Sequence, residues 1–169
     1  SHRLQHWSLR LAALAAMLSP AAAQQVETIE KFGARFLLWR IDAAALPNLQ
    51  LHWLGYDGKP LQNFAALQSH LARQNLSIVF ATNAGIYERG PKPCGLTICQ
   101  GREVVPLNLA PGEGNFYLKP NGVFYVDAEM GAGVMESAEF ARSGLKPRID
   151  TQSGPLLLRQ GRIHHAFNP

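Results

Sequence analysis

Phe116-Tyr117-Leu118-Lys119-Pro120-Asn121-Gly122-Val123-Phe124-Tyr125-Val126 is the stretch on which the fold class turns. Two aromatic, β-prone runs flank Pro120-Asn121-Gly122, and an Asn-Gly pair between such runs signals a β-hairpin. Upstream, Leu96 to Cys99 and Glu103 to Val105 flank Gln100-Gly101 in the same manner. Downstream, Leu156-Leu157-Leu158 turns through Gln160-Gly161 into Arg162-Ile163. Of the 15 glycines, 12 lie between Gly85 and Gly161 among these strand-like runs, which excludes a helix bundle.

The N-terminal half adds mixed elements. Ala34 to Asp42 and Leu49 to Leu54 read as strands, with Gly55-Tyr56-Asp57-Gly58 as a turn after the second. Phe64, Leu67 and Leu71 recur at helical spacing behind Asn63, a residue suited to cap a helix running to Asn75. Ser77-Ile78-Val79-Phe80-Ala81-Thr82 reads as a short buried strand entering Asn83-Ala84-Gly85. Glu136 to Ser143 reads as a short helix stopped by Gly144. The expected class is α+β: a mixed, hairpin-rich sheet with one main helix covering a face.

Composition narrows the function classes. Hydrophobic residues at 47% and charged residues at 17% mark a chain that folds rather than a disordered one. Arg3 and Arg10 precede the apolar run Leu11 to Leu18, and Ser19-Pro20 and Ala21-Ala22-Ala23 follow it. That order is the pattern of a secretory signal peptide over residues 1–23, with an apolar run too short to span a bilayer. The expected location is therefore periplasmic or secreted, with no stable membrane span after cleavage. Residues 24–169 hold 14 basic and 12 acidic residues, so half of the +4 formal charge belongs to the leader. No Lys/Arg cluster remains that could track a phosphate backbone, which sets nucleic acids aside.

Cys94 and Cys99 are the only cysteines. Across an extended segment their Cα atoms stand roughly 16 Å apart, at about 3.3 Å per residue. A disulfide needs under about 7 Å, so a bridge between them is not expected. Their spacing is also a poor zinc site, and no cofactor or metal is indicated.

Polar amides and glycines gather in three places: Asn83 to Tyr87, Asn108 to Asn115 with Gly112 and Gly114, and Thr151-Gln152-Ser153-Gly154-Pro155. Amide side chains and glycine-freed backbone suit sugar hydroxyls or an anion, and equally suit tight turns. No nucleophile elbow, P-loop, HExxH or dinucleotide fingerprint is present. His164-His165, adjacent in a strand-like run, would point to opposite faces. The acids near the clusters are Glu88, Glu113 and Asp150.

Ala81-Thr82-Asn83-Ala84-Gly85-Ile86-Tyr87 followed by Cys94-Gly95-Leu96 resembles the opening motif of the phosphodiester glycosidase domain family. Asn108 with Gly112-Glu113-Gly114-Asn115-Phe116, then Lys119-Pro120-Asn121-Gly122-Val123-Phe124, is similar to its bacterial, exopolysaccharide-related branch. Thr151 to Pro155 ahead of Gly161-Arg162-Ile163 resembles the same branch. The resemblance runs from about Phe32 to Pro169. Two departures stand out: Asp150 occupies a place where the pattern has a small apolar residue, and the family's following Arg-x-x-x-Gly segment does not occur in these residues. Residues 24–169 thus read as the N-terminal portion of such a domain.

The resemblance implies hydrolysis of a sugar-1-phosphodiester bond in envelope or extracellular polysaccharide, releasing the sugar from phosphate. On that reading Asn83, Gly85, Asn115, Gln152, Ser153 and Gly154 are the candidate substrate-binding residues, and Glu113, whose flanking glycines permit an exposed turn, is the candidate catalytic acid. A non-catalytic periplasmic module that binds glycan or phospho-polysaccharide is the alternative. A purely structural envelope protein, with all three clusters serving as turns, is the third.

Overall fold

Two-residue turns built from a residue followed by glycine set the local geometry. A computed structural model describes residues 25–165, so the leader expected over residues 1–23 lies outside the described residues. At Phe32-Gly33 both residues have positive φ (53° and 72°), the geometry that closes a tight hairpin. This turn joins β1 (Gln25–Lys31) to β2 (Ala34–Arg40), which pair antiparallel along their whole length. Among the described residues the hairpin belongs to one unit, which ends at Asp42, and those from Ala43 onward form a second.

In the second unit a 3-10 helix (Ala43–Asn48) precedes α1 (Phe64–Ala72). Asn63 caps α1 as its residue type suggests, its Oδ1 accepting from the Ala66 N–H at 2.9 Å. Leu71 is buried and Leu67 half-buried, but Phe64, placed by its spacing on the same face, is exposed. After the short pair β3 (Tyr87–Glu88) and β4 (Lys92–Pro93) come β5 (Thr97–Cys99) and β6 (Arg102–Val105). Gln100 and Gly101, at φ 48° and 81°, form the turn between them, as their sequence predicts.

β7 (Gly122–Asp127), β8 (Gly131–Glu136), α2 (Ser137–Ser143) and β9 (Ile149–Ser153) complete the main elements. β10 (Leu158–Arg159) and β11 (Arg162–Ile163) close a last hairpin through Gln160-Gly161. The central sheet has the order β6-β5-β9-β7-β8 with every pairing antiparallel, so β9 is its middle strand although it comes last in sequence. An α+β fold with a mostly antiparallel, hairpin-rich sheet is what the sequence leads one to expect.

Alternation fixes the two faces of the sheet. Leu96, Val123, Tyr125 and Phe140 form the buried cluster, so α2 is the helix seated on that face. Full burial of each such side chain contributes about 1.5–3 kcal/mol. Gly144, at φ 71°, ends α2 in the left-handed conformation that glycine accepts most readily. Arg148 donates to the carbonyls of Leu46 (2.7 Å) and Leu49 (2.9 Å), fastening the 3-10 helix beside the start of β9.

Three expected strands are absent. Phe116 to Lys119 contains a 3-10 turn (Asn115–Tyr117), and β7 forms its hairpin with β8 instead. The Asn121 side chain is buried and donates to the Phe116 carbonyl at 3.3 Å, so Pro120-Asn121-Gly122 is an internal bend rather than a hairpin tip. Leu49 to Leu54 is irregular apart from a bridge between Leu54 and Pro60. Ser77 to Thr82 joins no strand of the sheet, and Val79 is 65% exposed.

Candidate functional site

The site is built on the end of β9, where Gln152, Ser153 and Gly154 follow one another. Gln152 is 1% exposed and saturated. Its Oε1 accepts from the backbone N–H groups of Leu96 and Asn108, both at 3.0 Å. Its Nε2 donates to the Asn108 carbonyl at 2.7 Å and to Ser137 Oγ at 3.2 Å. An amide side chain offers two acceptor lone pairs and two donor hydrogens, and all four are in use. Gln152 therefore holds the loop that begins at Asn108 onto the sheet. The Asn108 side chain continues the network by donating to the Cys94 carbonyl at 2.9 Å.

Two glycines allow loops to close on the same strand. A Cβ on Gly85 would stand 2.4 Å from Thr151 Oγ1 and 2.9 Å from the Gln152 carbonyl. A Cβ on Gly154 would stand 2.5 Å from the Phe116 carbonyl and 3.0 Å from that of Asn115. Real Cβ atoms do not approach so closely, so only glycine fits at these contacts. The three clusters separated in sequence, around Gly85, Asn115 and Gly154, thus meet at the end of β9.

The side chains at this junction differ in availability. Asn83 and Asn115 are exposed, Ser153 is half-buried, and none of the three side chains has a hydrogen-bond partner among the described residues. Glu113 is exposed on the loop between Asn108 and Asn115, also without an ion pair among the described residues. That loop folds back on itself: Gly112 lies against the ring of Tyr117, and the Tyr117 N–H donates to the Gly114 carbonyl at 3.0 Å.

Sequence reasoning passes over a cleft beside this junction. It measures about 490 Å³ and is lined by Lys119, Asn121, Glu136, Arg159 and His164, among others. Arg159 pairs with Glu136 at 3.1 Å and with Glu139. The available signal was Lys119-Pro120-Asn121-Gly122, but a hairpin reading of those residues hides the cleft.

Asp150 departs most from expectation. It lies in mid-strand opposite Tyr125 on β7 and Ile98 on β5, with 0% exposure, and neither carboxylate oxygen has a hydrogen-bond partner. Burial first, and then the negative charge of Glu103, push its carboxyl up to about 8. It is a protonated core residue at neutral pH and does not reach solvent.

Both cysteines are free thiols, and burial raises each above the ordinary thiol value. No group of three or more His, Cys, Asp or Glu among the described residues is placed to hold a metal ion. No helix among the described residues is long and apolar enough to cross a membrane.

Over 121 residues, 72% of its length, the chain is 34% identical to the uncharacterized protein YigE of Escherichia coli (strain K12). The match covers 46% of that relative, so the chain spans about half the length of the curated relative it matches. No family model matches the sequence, and no solved structure matches it.

Proposed function

We propose that the protein hydrolyses a sugar-1-phosphodiester bond in envelope or extracellular polysaccharide. The observation that supports this reading most is the meeting of three polar loops at the end of β9. The side chains of Asn83, Asn115 and Ser153, carried by these loops and the strand end, have no hydrogen-bond partners among the described residues. Such groups suit sugar hydroxyls and phosphate oxygens. A phosphomonoester has its second pKa at about 6, so as a leaving group it departs with little protonation. The larger demand is to orient the diester and stabilise an oxocarbenium-like transition state.

On this reading Asn83, Asn115 and Ser153 bind substrate, while the backbone at Gly85 and Gly154 provides close approach. Glu113 supplies an ionisable group on an exposed loop between Gly112 and Gly114. Gln152, saturated internally, acts as a positioning residue that holds the Asn108 loop in place. The test is turnover of a sugar-1-phosphodiester by the full-length protein, including any residues beyond these 169, and by its Asn83→Ala variant. Loss of hydrolysis in the folded variant supports the assignment; unchanged hydrolysis removes Asn83 from the site.

One observation favours a second reading, a non-catalytic module binding glycan or phospho-polysaccharide. Glycosidases generally use a pair of carboxyl groups. Asp150, an acid at the same strand, is sealed in the core and cannot complete a pair with Glu113. A binding module gives affinity for the polysaccharide with no release of reducing sugar.

A further inference from the structure

Tyr87 is an aromatic residue that the fold places beside the β9 junction and then leaves unused. It follows Gly85 by two residues, so its Cα lies within about 7 Å of the glycine that seats this loop on Thr151 and Gln152. The side chain is 58% exposed. Among the described residues its ring contacts no other ring and no cation, and its hydroxyl has no hydrogen-bond partner.

An exposed tyrosine is ordinary; a tyrosine exposed on a firmly held support is less so. The β3–β4 hairpin that carries Tyr87 has both ends packed on Gln152. At one end a Cβ on Gly85 would stand 2.9 Å from the Gln152 carbonyl. At the other, a Cβ on Gly95 would stand 2.9 Å from Gln152 Cδ and 2.6 Å from Phe116 Cζ. The Cys94 N–H donates to the Ile86 carbonyl at 3.0 Å and closes the base of the hairpin. Trp53 Nε1 donates to the Pro91 carbonyl at 2.7 Å and holds its turn. The cross-strand partner of Tyr87 is Pro93, whose ring fixes its own backbone φ.

We propose that Tyr87 is a stacking platform for the sugar ring of the substrate. The inference rests on the reading of the β9 junction as a sugar-1-phosphodiester site and deepens it. The C–H face of the pyranose lies on the phenol ring, while Asn83 and Asn115 bind its hydroxyls. Binding sites commonly join such an aromatic wall to a few polar groups that fix orientation. A tyrosine ring is positioned by two torsions, so it gives contact area at small entropic cost, and a held hairpin lowers that cost further.

Steady-state kinetics and calorimetric titration of the full-length protein test it, with the methyl phosphodiesters of glucose, galactose, mannose and N-acetylglucosamine 1-phosphate. For the diester that binds best, Tyr87→Ala should raise KM and Kd about five- to tenfold, with kcat little changed. Tyr87→Phe and Tyr87→Trp should stay near the wild-type values, because the ring and not the hydroxyl makes the contact. Met130→Ala removes an exposed apolar side chain from the β7–β8 turn, at the far end of β7 from Gly122 and Ser153, and should change neither constant. Equal affinity in wild type and Tyr87→Ala, or an equal loss in Met130→Ala, overturns the platform. Turnover with a KM indifferent to Tyr87 retains the hydrolase and rejects the platform. Binding that depends on the Tyr87 ring, with no turnover by any form, retains the platform and rejects the hydrolase. Neither binding nor turnover of any of the four diesters overturns both.

Discussion

Gln152 and Asn108, 44 residues apart, are joined by a reciprocal pair of hydrogen bonds. The Gln152 amide donates to the Asn108 carbonyl at 2.7 Å and accepts from the Asn108 N–H at 3.0 Å. The side chain thus pairs with the Asn108 backbone as a neighbouring strand would, and it anchors a loop that no strand reaches. Replacing it with leucine leaves the Leu96 and Asn108 backbone groups unsatisfied in a buried place. At about 1–3 kcal/mol for each buried polar group left unpaired, Gln152→Leu should destabilise the protein by several kcal/mol. Urea denaturation of wild type and variant checks this; a change under about 1 kcal/mol would mean that the loop is held by other contacts.

Asp150 makes stability depend on pH with a definite sign. Its folded value of about 8 lies above the ordinary carboxylate value of about 3.9 in the unfolded chain. Between those two values the native state keeps a proton that the unfolded state has lost, so stability falls as pH rises. Below the lower value the penalty is absent; above the upper one it is complete. Asp150→Val should remove this slope and raise stability at neutral pH. Denaturation midpoints measured from pH 4 to 9 in both proteins decide it, and parallel profiles would place the carboxyl in contact with solvent.

Gly85→Ala should act at the contact with β9. The new methyl carbon would meet Thr151 Oγ1 at 2.4 Å and the Gln152 carbonyl at 2.9 Å. Forcing that loop outward should cost about 1–3 kcal/mol, as overpacking does. Adding Thr151→Ala relieves the closer clash alone and should recover part of the loss. A Gly85→Ala protein as stable as wild type would show that the Asn83 loop is not seated on the strand.

Ser77 to Thr82 shows where local reading of this sequence stops. Isoleucine, valine and phenylalanine in succession have high strand propensity, but a strand also needs an edge to pair with, and propensity does not supply one. Here the central sheet ends at β6 and β8, and neither edge takes up this segment. Amide hydrogens of Ile78 and Val79 should exchange far faster than those of Val123 and Gln152. Equal protection would restore the strand that the sequence suggests.

The features legible in the sequence are those fixed within a few residues. Gln100-Gly101 and Gln160-Gly161 turn where a residue-glycine pair permits positive φ, Asn63 caps α1, and Gly144 stops α2. Pro120-Asn121-Gly122 misleads because the Asn121 side chain is bound to Phe116 inside the protein, which nothing in the tripeptide reveals. The candidate site was legible in part. The three polar clusters do meet, but Gln152, expected to bind substrate, has its partners at Leu96, Asn108 and Ser137, far away in sequence. Lys119, part of a motif in the sequence, lines a cleft together with Arg159 and His164, which its own neighbours do not reveal.

The hydrolase reading is tested most directly by phosphorus NMR of a sugar-1-phosphodiester incubated with the full-length protein. The diester resonance should be replaced by that of a phosphomonoester as free reducing sugar appears in equal amount, and Asn83→Ala should abolish the change. A diester signal that persists unchanged while the protein binds the same compound would contradict hydrolysis and leave a binding module in its place.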